Sequence, residues 1–370
     1  MTDAHDPVQP PPLSTGAIVL RLGAIGGVVA CAAGVFAYTA GWLTPHRLTQ
    51  ARMLAAFESD EAHPGFRFNH AKGLCATGYF QGSGQAVAVS KASVFKAERT
   101  PVNARFSLPG PMPFQPDSAQ KVRALALRLV GADGQEWRTA MINLPIFPVN
   151  QPKDFYDFTL ASAPVPATGK PDTAKMKAFL ANHPATAKAL GLLKAAPPPA
   201  GFAATKYNGL NAFRFTNAQG VTTPVRWSFV PVQLAPAPDP AKPKDVNPNA
   251  LFDDVIAQVH QHPLQWKLML TLGQPGDSTK DATVPWPDTR QQIVAGLLTL
   301  NQVASEDGGK CTDINYDPLV LPAGMAGSDD PLLSARSSAY ARSFRIRIEK
   351  AGQKKPSALT PQAVQTGSAA

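Results

Sequence analysis

Apolar and polar residues alternate in two long stretches of the chain, and this alternation constrains the fold more than any other feature. The first stretch, residues 121–142, reads KVRALALRLVGADGQEWRTAMI and places Gly131 and Gly134 between two alternating runs. The second, residues 211–231, reads NAFRFTNAQGVTTPVRWSFVP and has the same pattern, two alternating runs on either side of residues 217–220. A two-residue period interrupted by a glycine-containing turn is typical of β-hairpins that bury one face. The sequence therefore predicts antiparallel strands.

Further strands and a few helices complete the prediction of an α+β fold, an antiparallel β-barrel of about eight strands with helical insertions. Residues 86–95, AVAVSKASVF, alternate like a strand, and QWKLMLTL and IVAGLLTLNQV supply two more. Helices are expected after the N-cap residues Asp172 and Asn249. A barrel of about eight strands leaves room for one small ligand. A sandwich is the alternative, because periodicity does not show whether a sheet closes.

Residues 22–43 contain no charged side chain and are long enough to span a bilayer. The run reads LGAIGGVVACAAGVFAYTAGWL and follows Arg21. It exceeds the apolar core of a signal peptide, about 7–15 residues, so an uncleaved anchor is predicted, with a cleaved signal or a buried core helix as alternatives. The predicted organisation is a disordered segment at 1–15, a transmembrane anchor at 16–43, a globular domain at 44–350 and a flexible tail at 351–370.

Charge and cysteine usage exclude several classes of protein. The formal net charge is +9, but Lys and Arg are spread along the chain, so nucleic-acid binding is not expected. The three cysteines, Cys31, Cys75 and Cys311, lack the spacing of a zinc site or a CxxC motif. A disulfide between Cys75 and Cys311 would require an oxidising compartment and is left open. The sequence contains no fingerprint of a nucleotide-binding protein or a serine hydrolase.

Tyr340 has a potential chemical role because Arg336 precedes it by four residues in RSSAYARSFRIR. In a helix the two side chains share one face, and a guanidinium stabilises a phenolate. An anionic tyrosine is one of the side chains that hold haem iron. By itself the pattern is common, and a cation–aromatic contact on a solvated face explains it equally well.

Four segments in order resemble those of the haem catalases, and more closely those of the short catalase-related peroxidases. They are RFNHAKG at 67–73, RFSLPG at 105–110, NLPIFPVNQPKDFYDF at 143–158 and RSSAYARSFRIR at 336–347. The resemblance extends over most of the globular domain and implies that this domain binds haem b through its iron. One departure is Asn69, because many large catalases have valine before the distal histidine. A more polar distal pocket is therefore expected.

The resemblance also implies a role for individual residues. His70 would be the distal base, Ser107 would orient its imidazole and Asn143 would hydrogen-bond the peroxide. Tyr340 would bind the iron, and Arg336 would pair with its oxygen. The other expected haem contacts are the propionate-binding Arg67, Arg105 and Arg347 and the ring-packing Phe155 or Phe158. A satisfied core histidine, a turn asparagine and a surface serine are the structural alternatives for the distal residues.

The implied function is that of a membrane-anchored haem peroxidase with an antioxidant role and a domain in the periplasm. It would reduce hydrogen peroxide or an organic hydroperoxide with a small organic electron donor. The chain ends 30 residues after Tyr340, whereas large catalases continue further, so a more open haem edge and peroxidase turnover are expected. The alternatives are a true catalase, an isomerase of lipid hydroperoxides, and a non-catalytic barrel that binds haem or an apolar ligand. The sequence does not specify the donor or the oligomeric state.

Overall fold

A computed structural model describes most of the chain as two compact units, residues 1–52 and 53–370. The described residues are 14–44, 48–56, 63–117, 121–165, 168–195, 201–234, 247–351 and 356–366. Residues 1–13, most of the segment expected to be disordered, therefore lie outside the described part of the chain.

The first unit contains one long helix, α1, Thr15–Thr39. The hydroxyl of Ser14 caps it by accepting a hydrogen bond from the backbone N–H of Ala17 at 3.3 Å. At about 1.5 Å per residue, its 25 residues span about 37 Å, which exceeds a bilayer core of about 30 Å. None of its side chains is buried inside the protein. By length and composition this helix can cross a membrane, although a signal sequence has the same properties.

The second unit is built on one antiparallel sheet. Its strands are β1 Gly73–Gly82, β2 Arg99–Ser107, β3 Ala124–Val130, β4 Glu136–Ile142, β5 Tyr207–Asn208, β6 Phe213–Thr216, β7 Thr222–Pro231, β8 Leu264–Leu272, β9 Gln292–Ala304 and β10 Met325–Gly327. Their order in the sheet is β10-β6-β7-β5-β4-β3-β2-β1-β9-β8, and β7 also pairs with β8. This pairing closes the strands from β7 to β8 into an eight-stranded barrel, with β6 and β10 outside the ring. The predicted barrel is confirmed.

Helices occur before, between and after the strands. They are α2 Gln50–Ala55, α3 Pro152–Ser162, α4 Thr173–Asn182, α5 Pro184–Ala195, α6 Ala250–Gln261, α7 Pro331–Ala351 and α8 Pro361–Thr366. Asp172 caps α4 as predicted, because its Oδ1 accepts from the N–H of Ala174 at 2.8 Å. This helix ends at Asn182 and a second helix begins at Pro184, since proline cannot continue a helix. Asn249 occupies the N-cap of α6, but the carboxylate of Asp117 accepts from the first N–H groups instead.

Neighbouring side chains on each strand point to opposite sides of the barrel wall. Leu125, Leu127 and Leu129 of β3 are buried in the main core, which also contains Trp137 and Trp266. A second, smaller apolar cluster lies on the outer side of the same wall. Its members are Cys75, Cys311, Ile314 and Tyr316, packed against Ala126 and Ala140. Large apolar side chains thus fill the barrel interior, whereas the outer wall carries small side chains such as Ala126 and Ala140.

Two expectations differ from the structure. The strand prediction for residues 86–95 is wrong, because this stretch contains two 3-10 turns, Gln85–Ala88 and Ser93–Phe95. The turns bury Ala86, Val94 and Phe95 in the core, so apolar residues recur along this stretch without forming a strand. Part of the segment expected to be a flexible tail is instead packed, because α8 and the residues before it bury Leu359 and Val364 in the same core.

Candidate active site

Strand register brings predicted polar residues to one patch of the outer wall. Ser107 of β2 pairs with Gly73 of β1 and Ala124 of β3. Arg105 lies two residues away on the same strand, and side chains two residues apart point to the same face. Across the sheet, Arg105 pairs with Ala126 of β3. The patch therefore presents a serine and an arginine beside small side chains.

His70 lies just before β1 and faces this patch. Its Nδ1 is 3.2 Å from Oγ of Ser107, so the structure brings together the two residues expected to form the distal pair. The backbone of His70 is left-handed, with φ 59°, a conformation that costs a non-glycine residue about 1–2 kcal/mol. Such strain persists only where surrounding contacts fix it. One such contact is the bond from the N–H of Ala71 to the carbonyl of Gly110 at 3.0 Å.

The surroundings of His70 keep its imidazole neutral. Desolvation by burial, followed by the charges of Arg105, Arg67 and Arg336, lowers the pKa of His70 from 6.5 to about 3. Each guanidinium disfavours a second positive charge nearby. A neutral imidazole has one ring nitrogen that can accept a proton, which is the requirement for a general base.

A buried ion pair extends the patch. Nε and Nη2 of Arg105 donate to the two carboxylate oxygens of Glu306 at 2.8 and 2.9 Å. Both residues are almost fully buried, with 2% and 4% of their surface exposed. Burial alone would raise the pKa of Glu306, but Arg105, Arg67 and Arg347 outweigh it and hold this pKa below its usual range. Glu306 therefore stays ionised and fixes the guanidinium of Arg105.

Arg67 and Arg347 complete a cluster of three arginines. Nη2 of Arg67 donates to the backbone carbonyls of Cys311 at 3.3 Å and Ile314 at 3.2 Å. Desolvation, then repulsion from Arg105 and Arg347, lowers the pKa of Arg67 to about 9. Within the described chain, Nε of Arg67 and both Nε and Nη2 of Arg347 are buried without a hydrogen-bond partner. Buried guanidinium nitrogens of this kind are suited to bind the oxygens of an anionic group.

Helix α7 carries the tyrosine predicted to bind iron. Nη2 of Arg336 lies 3.5 Å from the hydroxyl of Tyr340, as expected for residues four apart on a helix. The same nitrogen donates to the carbonyl of Ala140 in β4 at 2.9 Å, and Nη1 donates to Oδ1 of Asn211 at 2.5 Å. These bonds attach α7 to the barrel wall. Arg347 follows Arg336 by about three helical turns, so it lies on the same face of the helix.

Asn143 and Phe155 have contacts of their own. Oδ1 of Asn143 accepts from the backbone N–H of Arg123 at 2.9 Å, and its Nδ2 donates to the carbonyl of Lys121 at 3.4 Å. The ring centroid of Phe155 in α3 lies 5.4 Å from that of Phe147. Roles in binding peroxide and haem stay predictions for these two residues.

Sequence reasoning missed Glu306 and Tyr316, which lie in the segment after β9. The hydroxyl of Tyr316 is buried and has no hydrogen-bond partner among the described residues, and the guanidinium carbon of Arg67 lies 5.6 Å from its ring centroid. A disulfide between Cys75 and Cys311 ties the segment to β1, with a Cα–Cα distance of 5.3 Å. Local patterns do not reveal the partner of Glu306, because it is 201 residues from Arg105. The disulfide, which the sequence left open, joins cysteines that are 236 residues apart.

A family model described as Catalase matches residues 48–366 of the chain. The chain belongs to the catalase family. It is 38% identical over 301 residues to a catalase-related peroxidase of Synechococcus elongatus, covering 81% of this chain and 89% of that protein. It is 30% identical over 300 residues to a catalase-related peroxidase of Mycolicibacterium paratuberculosis, covering 80% and 94% respectively.

Solved structures show the same catalase fold. A fungal catalase superposes with a TM-score of 0.69 at 20% identity, covering 78% of this chain and 61% of the fungal chain. A bacterial catalase superposes with a TM-score of 0.67 at 24% identity, covering 80% of this chain and 59% of the bacterial one. This member of the catalase family therefore spans about three fifths of the length of these two catalases.

Proteins of the catalase family generally bind haem, and the residues of this site fit such a group. Haem has a flat apolar ring and two carboxylates. Ala126 and Ala140 on the outer wall are small, partly exposed apolar side chains, of the kind against which a flat ring can pack. The unpartnered nitrogens of Arg67 and Arg347 match the carboxylates in charge and hydrogen-bonding capacity. The phenol of Tyr340 is of the chemical type that can bind haem iron through oxygen, and this role stays a prediction.

Proposed function

We propose that this member of the catalase family is a haem peroxidase that reduces hydrogen peroxide or an organic hydroperoxide with an organic electron donor. The observation that carries the proposal is the desolvated His70, whose Nδ1 lies 3.2 Å from the hydroxyl of Ser107 on the outer wall. The names of the two catalase-related peroxidases, which are 38% and 30% identical to this chain, support the same activity.

The residues that would hold haem b lie on the outer wall, in the segment before β1, on α7 and in α3. The Tyr340 phenolate would bind the iron, with Arg336 stabilising its negative charge. When bound, haem supplies the redox chemistry of peroxide reduction. The remaining contacts would be those of Arg67, Arg105 and Arg347 with the propionates and of Phe155 with the ring.

Proton transfer is assigned to His70. In the tautomer that donates from Nδ1–H to Oγ of Ser107, across 3.2 Å, Nε2 would be free to take a proton from one peroxide oxygen. The imidazolium then gives this proton to the other oxygen, which leaves as water or an alcohol when the O–O bond breaks. Oδ1 of Asn143 is fixed by the N–H of Arg123, so its Nδ2 is the group that would donate to the peroxide. The organic donor supplies two electrons and two protons in each turnover, so that the second peroxide oxygen leaves as water.

The test compares holo wild type with His70→Ala, and His260→Ala serves as the matched control because it is exposed in the last turn of α6. Wild type should show a haem absorption band and peroxide-dependent oxidation of a phenolic donor. His70→Ala should keep the haem band and lose about 10²–10⁴-fold in donor oxidation, whereas His260→Ala should match wild type. Equal activity of all three proteins would contradict the role of His70.

Oxygen release distinguishes the peroxidase from a true catalase, which is also compatible with the family. We expect donor oxidation to exceed oxygen evolution from hydrogen peroxide. Dominant oxygen evolution would favour the catalase. Haem binding without either reaction would favour a binding protein.

The proposal includes a single-pass anchor and a periplasmic domain. Helix α1 supports the anchor, since it is apolar and none of its residues is buried. The disulfide Cys75–Cys311 supports the periplasm, because disulfides persist in oxidising compartments and are rare in the cytosol. Protease added to spheroplasts should digest the full-length domain and should spare a variant that lacks residues 1–44 and stays in the cytosol. Protection of the full-length domain would contradict this orientation.

A further inference from the structure

We infer that Asn69 is a positioning residue that holds the backbone of His70 in the conformation its proton transfer requires. The inference rests on the proposed function of His70. Oδ1 of Asn69 accepts two hydrogen bonds, from the backbone N–H of His70 at 2.9 Å and from the backbone N–H of Gly110 at 2.7 Å. One side-chain oxygen therefore joins the histidine to the segment that follows Ser107.

In this protein the left-handed backbone of His70 has this contact as its local support. Its φ is 59°, a region that residues with a side chain rarely adopt. Backbone bonds between the two segments start one residue later, where Ala71 donates to Gly110 and Leu108 donates to Lys72. These two bonds hold the first residues before β1, but neither of them involves the N–H of His70. Among the described residues, the Asn69 oxygen is the acceptor for that group.

The same oxygen also controls the contact between His70 and Ser107. Gly110 lies three residues after Ser107, and its N–H is bound by the oxygen that binds His70. Loss of this bridge would let the turn at His70 move relative to β2 and lengthen the distance of 3.2 Å between Nδ1 and Oγ. Proton transfer depends on that distance, because the hydrogen bond sets which ring nitrogen is free.

Two substitutions separate positioning from a purely structural role. Valine removes the acceptor oxygen, whereas aspartate keeps an acceptor in the same place and adds a negative charge beside the imidazole. The charged groups that act on His70 are the guanidiniums of Arg105, Arg67 and Arg336. All three favour the neutral ring, so a nearby carboxylate would oppose them and make the ring easier to protonate.

The experiment measures kcat/KM for hydrogen peroxide from pH 4 to 8 in holo wild type, Asn69→Val and Asn69→Asp, with haem content determined for each. Asn69→Val should lose about tenfold or more at every pH while keeping its haem, because the base is misplaced. Asn69→Asp should stay near wild type at pH 8 and lose activity on acidification about one pH unit or more before wild type does.

Asn103→Asp and Asn103→Val are the matched controls. Asn103 lies on the outer face of β2, four residues before Ser107, which is a distance of about 13 Å along a strand. Both control variants should reproduce the wild-type profile, so that neither the added charge nor the lost amide explains an effect at position 69.

Several outcomes would overturn the inference. Wild-type kcat/KM and pH profile in Asn69→Val would exclude a positioning role. If Asn69→Val fails to fold, an unshifted profile in Asn69→Asp, or a loss at pH 8 as large as at pH 4, would do the same. His70→Ala distinguishes the two proposals. If this variant is as active as wild type, the proposed function fails, and if it is inactive while Asn69→Val is normal, only the inference about Asn69 fails.

Discussion

Replacing Glu306 by glutamine should destabilise the folded protein far more than a surface carboxylate would. Glu306 is bound by two nitrogens of Arg105 at 2.8 and 2.9 Å, and 4% of its surface is exposed. The variant Glu306→Gln keeps the shape of the side chain but leaves the guanidinium of Arg105 without its buried counter-charge. Arg67 and Arg347 also lose an attractive charge, because Glu306 opposes the lowering of both their pKa values.

The magnitude follows from burial. Two unit charges about 4 Å apart attract by about 4 kcal/mol at an effective dielectric constant of about 20. Removing one partner of a buried pair costs about 3–5 kcal/mol in measured cases, because the remaining charge stays desolvated. We therefore expect the free energy of unfolding of Glu306→Gln to fall by about 3–5 kcal/mol, a large part of the usual stability of a domain, about 5–15 kcal/mol.

Urea denaturation of the full-length protein in detergent, followed by tryptophan fluorescence, measures this change. Glu136→Gln is the matched control, because Glu136 also accepts hydrogen bonds from arginine, in its case Arg128 and Arg138, but its side chain is 18% exposed. Solvated pairs contribute about 0–1 kcal/mol each, so the control should lose much less. Equal losses in the two variants, or a loss below about 1 kcal/mol in Glu306→Gln, would refute the argument that burial makes this pair costly to break.

Three further predictions concern the ligand, the base and the disulfide. Tyr340→Phe lacks the oxygen that would bind iron, so haem content should fall and the absorption band should move; an unchanged spectrum would contradict ligation. Because the pKa of His70 is lowered to about 3, the base stays neutral on acidification, so kcat/KM for peroxide should be constant from pH 8 to about pH 4 and fall below it; an acid limb near the unperturbed histidine pKa of about 6.5 would contradict this. The double variant Cys75→Ser, Cys311→Ser should lose about 2–5 kcal/mol in urea unfolding, and a loss close to zero would contradict a stabilising crosslink.

Local patterns in the sequence were sufficient for the hairpins. The β3–β4 pair was predictable because Leu125, Leu127 and Leu129 alternate with other residues and Gly134 adopts φ 76° in the turn. Closure of the barrel was not predictable, since it depends on β7 pairing with β8 across the long insertion that contains α6. No periodicity within a strand encodes which distant strand it will pair with.

The candidate site was predictable only in part. His70 and Ser107, 37 residues apart, were paired through the resemblance of two short motifs, and their contact is present in the structure. Glu306 has no motif, and its role follows from a contact with Arg105 over 201 positions. Asn69 was recognised as a departure from the family pattern, but its two backbone bonds became visible only when Gly110 was placed beside it.

The alternation of β2 has a consequence for how this protein can change. Ala104 and Phe106 are packed in the interior, whereas Arg105 and Ser107, their immediate neighbours, face the candidate site. Selection for a well-packed core therefore acts on the inward-facing residues of the strand, and selection for turnover acts on the outward-facing residues between them. New specificities could evolve by exchanging every second residue, while the intervening positions preserve the architecture.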